Sequence, residues 1–76
     1  MIKDEIVKVI SDILNISSSS LSDESNYCNT NGWDSMATTN IIIALEEKFD
    51  IDIELDDAEK FTSIKNILEI LQSKYI

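Results

Sequence analysis

Apolar side chains in this 76-residue chain recur three and four positions apart in separate stretches, a spacing that admits little besides a helical fold. Ile2, Ile6, Val9, Ile10, Ile13 and Leu14 predict an amphipathic first helix from about Ile2 to Asn15. At about 100° per residue, Thr38, Ile41, Ile42, Leu45 and Phe49 gather on one face of a helix running to Phe49 or Asp50. Ile64, Ile67, Leu68, Leu71 and Tyr75 mark a last helix, with Thr62 as its cap. Between these two, Ile51-Asp52-Ile53-Glu54-Leu55 alternates as a strand would, but a lone strand finds no partner among helices. It reads as an extended connector whose Ile51, Ile53 and Leu55 supply apolar contacts. Asp56 to Phe61 then forms a short helix with carboxylates well placed at its start. The fold class is all-α: a small bundle of three main helices plus one short helix, in a single domain over residues 1–76.

A long first loop joins the first two helices. Ser17 to Ser20 and Leu21-Ser22-Asp23-Glu24-Ser25-Asn26 break the helical period with residues that favour turns and caps. The connection runs from about Ile16 to Trp33, and a loop of that length is held down by its own side chains or serves function. Leu21, Tyr27 and Trp33 are the expected pins. The serine run is too short for a linker.

Composition removes several kinds of chemistry. The chain has no histidine and one cysteine, so His-based acid–base catalysis is excluded and the commonest metal ligand is missing. Cys28 has no His partner and is expected to be a small packing residue. No catalytic or metal-binding residues are assigned. The net charge of -9 repels nucleic acid and anionic lipid and attracts basic protein patches. No apolar run approaches the roughly 18 residues of a membrane span, and Met1-Ile2-Lys3-Asp4-Glu5 lacks a signal-peptide layout. A cytoplasmic monomer is expected.

The sharpest chemical handle is Gly32-Trp33-Asp34-Ser35-Met36, which runs straight into the apolar second helix. Asp34 is a good N-cap, its carboxylate accepting from an orphan N–H one turn on. Ser35 then places a hydroxyl where a loop becomes a helix. A phosphodiester there would meet unpaired backbone N–H groups and the positive end of the helix dipole. Met36, Asn40, Ile43 and Glu47 fall opposite the core stripe, flanked by Glu46. Single exposed apolar residues are ordinary. An apolar pair ringed by carboxylates beside Ser35 also has the character of a docking surface for a basic-rimmed partner.

The span from about Tyr27 to Ile64 resembles the bacterial acyl carrier proteins. Asp34-Ser35-Met36 is similar to the family's attachment motif, and Ala44-Leu45-Glu46-Glu47-Lys48-Phe49-Asp50 to the end of its recognition helix. Asp57-Ala58-Glu59-Lys60-Phe61-Thr62 resembles its short third helix and the entry to its fourth. The resemblance implies that Ser35 receives 4′-phosphopantetheine from coenzyme A through a separate phosphopantetheinyl transferase. It implies that the arm's thiol carries acyl groups as thioesters to acyl-loading and acyl-processing enzymes with basic docking patches, and that the chain is no enzyme. Ile53 matches the family position at the mouth of an acyl cleft. Ile42, Leu45, Phe49, Ile53, Phe61, Ile67 and Leu71 would then line that cleft, although each also suits ordinary core.

The chain departs from the family's fatty-acid-synthesis members at several positions. Asn29-Thr30-Asn31-Gly32-Trp33 replaces a more acidic, leucine-containing loop. Ala37 and Asn40 stand where those carriers generally have carboxylates, and Glu54 where a proline often follows. Trp-Asp-Ser-Met resembles discrete carriers of polyketide, nonribosomal-peptide or surface-polysaccharide pathways, so a dedicated biosynthetic carrier is the preferred reading. The alternatives are a primary fatty acid carrier and, in another class, an acidic helical adaptor for a basic protein.

Overall fold

Residues 2–76 are described in the computed structural model. Helix α1 spans Ile2–Leu14 and buries Ile6 and Ile10 completely, with Ile2, Val9, Ile13 and Leu14 packed around them. Asp4 and Glu5 occupy its first turn, where the helix dipole favours negative charge. Asn15 ends it by turning left-handed at φ 58°, a conformation that the short Asn side chain tolerates better than most.

Helix α2, Ser35–Phe49, packs on α1 and sends Ala37, Ile41 and Leu45 into the core. Those three lie four residues apart, with Trp33 one step earlier on the same line. Asp50 stops the helix in the left-handed region at φ 55°, its N–H bonding the Glu46 carbonyl. Helix α3 is only Leu55–Ala58. Helix α4, Ile64–Ile70, buries Ile64 and Ile67, and continues into a wider turn over Leu71–Tyr75 whose Leu71 is fully buried. Burial of such side chains stabilises by about 1.5–3 kcal/mol each, and Phe61 completes the set at 1% exposure.

The architecture is the expected one: a helical bundle with α3 as its short member. Details differ. The cap of α4 is Ser63, whose Oγ accepts from Asn66 N at 3.1 Å. Thr62, the expected cap, instead accepts from the Asn66 side chain. Leu55 was expected to pack, but as the first residue of α3 it faces outward at 74% exposure.

The long loop is held mainly by backbone. Tyr27 N donates to Thr62 O, and Ile64 N to Ser25 O, so a one-residue bridge stitches Asn26 to Ser63. Asn26 Oδ1 accepts from Cys28 N and Asn29 N, while the Asn26 and Asn29 amides both donate to Glu24 O. These short side-chain bonds share the work of holding the loop with the apolar pins. Trp33 and Leu21 do pack inward, but Tyr27 is exposed, and Cys28 is exposed rather than a packing residue. Ser18–Ser20 form a single 3₁₀ turn capped by Ser17.

Candidate functional site

Gly32 begins the approach to α2. Trp33 N closes a turn onto Thr30 O at 3.2 Å, and Gly32 sits inside it at φ 85°. Space does not demand glycine there, since an added Cβ would lie 4.0 Å from Leu14; the backbone angle does. The turn swings the Trp33 indole into the core, leaving it 4% exposed. Indole Nε1–H donates to Thr38 Oγ1 at 3.0 Å, and that hydroxyl donates to Asp34 O at 2.9 Å. The first turn of α2 is thereby tied to the loop before it.

Asp34 caps α2 as expected, Oδ1 accepting from Ala37 N at 2.8 Å. Because Asp34 does the capping, Ser35 does not have to. Among the described residues no hydrogen bond takes the Ser35 hydroxyl, which is exposed, nor the N–H groups of Ser35 and Met36. Ser63 shows the contrast: it also stands where a helix begins, but its hydroxyl is spent on the cap. The residues around Ser35 therefore fit a phosphodiester-linked group, with a free hydroxyl for the ester and two free amides for the anion.

A groove of about 590 Å³ opens beside Ser35. Trp33, Thr38, Thr39 and Ile42 line it from the α2 side, and Leu55, Ala58, Glu59 and Phe61 from the α3 side, with Tyr27 at its edge. Of the residues expected in a cleft, Ile42 and Phe61 face this groove. Leu45, Ile67 and Leu71 are fully buried core, and Phe49 and Ile53 pack partly buried against that core. Sequence reasoning missed Tyr27, Thr39 and Ala58, which have no apolar period to betray them.

Met36, Asn40, Ile43 and Glu47 are all exposed on the far face of α2, Met36 at 75%. Glu46 differs from its neighbours. Its carboxylate accepts from Ile53 N at 2.9 Å and so anchors the connector before α3. It is a clamp on the fold as well as a surface charge.

The last cluster was not expected. Asp57 in α3 is buried at 4% exposure. Its Oδ2 accepts from Tyr75 Oη at 2.6 Å and lies 2.9 Å from Lys74 Nζ. The Tyr75 hydrogen bond, followed by that of Lys74, holds the Asp57 carboxyl below its usual range. The same partnership raises Lys74 and Tyr75 above theirs. A lowered carboxyl stabilises the fold above its unfolded pKa and loses that contribution as pH falls through the folded value. The raised groups contribute below their unfolded values, near pH 10, and lose it as pH rises further. Acidification also relieves repulsion within a chain of net charge -9, so the measurable quantity is a difference. The stability gap between the native chain and Tyr75→Phe should be constant near neutrality and shrink as pH drops below about 4. Urea titrations at a series of pH values check it.

Comparison with known proteins identifies the family and the fold. Residues 4–71 match the family model described as a phosphopantetheine attachment site. The chain is 40% identical over 71 residues to the acyl carrier protein of Picosynechococcus sp., covering 93% of this chain and 88% of that protein. It is 30% identical over 73 residues to the acyl carrier protein of Nitratidesulfovibrio vulgaris, covering 96% of each. Among solved structures, the holo acyl carrier protein of Nitrosomonas europaea superposes with a TM-score of 0.80 at 28% identity, over 95% of this chain and 93% of that one. Proteins of this kind are carriers rather than catalysts, bear 4′-phosphopantetheine, and meet phosphopantetheinyl transferase and acyl-processing enzymes. Among the described residues, no helix is long and apolar enough to cross a membrane. The matched span, the shared identity and the common helical fold place this chain in the acyl carrier protein family.

Proposed function

We propose that the chain is a carrier domain, acting as a cytoplasmic monomer, with 4′-phosphopantetheine esterified to Ser35 and acyl cargo held as a thioester for a dedicated biosynthetic pathway. The observation that carries the assignment to Ser35 is the division of labour at the start of α2: Asp34 caps and Ser35 keeps its hydroxyl free. The bound arm supplies a thiol for the thioester. The chain's own part is to hold the phosphodiester at the amides of Ser35 and Met36 and to offer the groove as shelter. Incubation with coenzyme A and a promiscuous phosphopantetheinyl transferase should add one prosthetic group by intact mass. Fragmentation should place it on the peptide holding Ser35, and a gain elsewhere would overturn the assignment.

The dedicated pathway is supported by Ala37 and Asn40. Ala37 is buried at 8% exposure, so a carboxylate there would have to displace part of the core contact. Asn40 is exposed without charge. With Asn40 uncharged, the exposed face of α2 carries one carboxylate fewer, which suits partners other than the fatty acid elongation enzymes. Loaded with malonate and offered to a housekeeping ketosynthase, the protein should turn over far more slowly than that organism's own fatty acid carrier; equal turnover would favour the primary fatty acid role.

The exposed face of Met36, Ile43 and Glu47 is the proposed docking surface. Glu47→Lys should slow phosphopantetheine transfer through a lower association rate, and the defect should fade at high salt, because a rim charge acts chiefly on encounter. Met36→Ala should weaken docking with little salt dependence. Transferase kinetics at several ionic strengths check both.

A further inference from the structure

Helix α3 has little to hold it in place by itself. Four residues cannot sustain a helix in water, and Glu54, its N-cap, makes no side-chain cap bond. The amides of the two residues before it are instead taken by side chains from elsewhere. Glu46 Oε2 accepts from Ile53 N at 2.9 Å, and Tyr75 Oη accepts from Glu54 N at 2.9 Å. The same Tyr75 hydroxyl donates onward to Asp57 inside α3, which Lys74 also meets. One phenol thus grips α3 at its entry and again in its first turn. Leu55 and Ala58 of this helix, with Glu59 at its end, form a wall of the groove beside Ser35.

We propose that Tyr75, supported by Lys74, is a positioning residue: it clasps α3 and so sets how closely the groove wall stands over a cargo held from Ser35. The inference rests on the reading of Ser35 as the attachment site. Release of the phenol leaves the Glu54 amide and the Asp57 carboxylate without that partner and frees the wall to move away from α2. Ile10, Ile41, Leu45 and Ile67 are fully buried, and the Tyr75 ring packs against that core, so the hydroxyl and not the ring is the part that belongs to the clasp alone.

Tyr75→Phe in the full chain carrying its prosthetic group keeps the ring packed and removes only the hydroxyl. Intact mass first establishes loading at Ser35, so a failure of that reading appears there. Amide hydrogen exchange then tests the clasp. The amides of Ala58 and Glu59, bonded to Glu54 O and Leu55 O, should exchange about tenfold faster in the variant. The amides of Ile10 and Ile67, which exchange when the whole bundle opens, should accelerate only as far as the stability loss read by urea titration. The amides of Ser20 and Leu21, bonded within their own turn to Ser17 O and Ser18 O, should keep their rates. Unchanged exchange at Ala58 and Glu59, or equal acceleration at Ser20 and Leu21, overturns the proposal. With a hexanoyl thioester on the arm, hydroxylamine should cleave the variant's thioester faster than the native one. Equal cleavage rates overturn the link between clasp and shelter while leaving Ser35 loaded.

Discussion

Ser35→Ala should abolish phosphopantetheine attachment and leave the fold intact. The Ser35 side chain is exposed and its hydroxyl bonds to nothing among the described residues, while its carbonyl still receives the Thr39 hydroxyl. Alanine is the better helix former by about 0.5 kcal/mol, so the far-ultraviolet circular dichroism and the melting midpoint should hardly move. Ser18 and Ser20 are exposed but lie in a single 3₁₀ turn and not at the start of an α-helix. Ser11 is buried and donates to Lys8 O; Ser25 is buried and accepts from Ser22 N. Ser63 is committed to capping α4, and Ser17 and Ser19 bond one another in the 3₁₀ turn. Mass spectrometry after transferase treatment reads the result. A full mass gain persisting in the variant would mean that the free hydroxyl at the start of α2 is not what the transferase selects.

The largest loss of stability should come from Trp33→Ala. Removing a buried aromatic side chain costs about 3–5 kcal/mol, and a core of this size supplies only about 3–5 kcal/mol in total. The variant should therefore be largely unfolded at room temperature. Trp33→Phe keeps most of the apolar volume and removes the indole donor to Thr38, so its loss should be much smaller. Urea titration followed by circular dichroism separates the two; fluorescence cannot, because Trp33 is the only tryptophan. If Trp33→Ala loses under about 1 kcal/mol, the indole is not the keystone its burial indicates.

The three long helices were legible because their apolar residues repeat at the helical period, and the start of α2 because Asp34 meets its target three residues away. What lacked a period was hidden. Tyr27 and Trp33 are both aromatic residues of one loop, and composition alone does not say which turns inward; the left-handed Gly32 beside Trp33 decides it. Glu46 looked like another surface carboxylate until the chain folded Ile53 back onto it. Asp57 and Tyr75 lie eighteen positions apart, joined by a bond that no local pattern announces. The groove beside Ser35 was obscured for a related reason. It is lined by half-buried and polar residues such as Thr38 and Thr39, whereas periodicity points to the fully buried stripe beneath.

The wide winding of Leu71–Tyr75, closed by Ile76 N on Leu71 O at 2.9 Å, gives the phenol its compass bearing. In an ordinary α-helix a residue four places on overshoots its starting direction by about 40°. A turn closed five residues on advances less per step, so Tyr75 comes to point elsewhere. Its aim at α3 is thus a matter of helical phase. Tightening that last turn by one hydrogen-bond step would leave the amino-acid sequence unchanged and still rotate the hydroxyl away from Asp57.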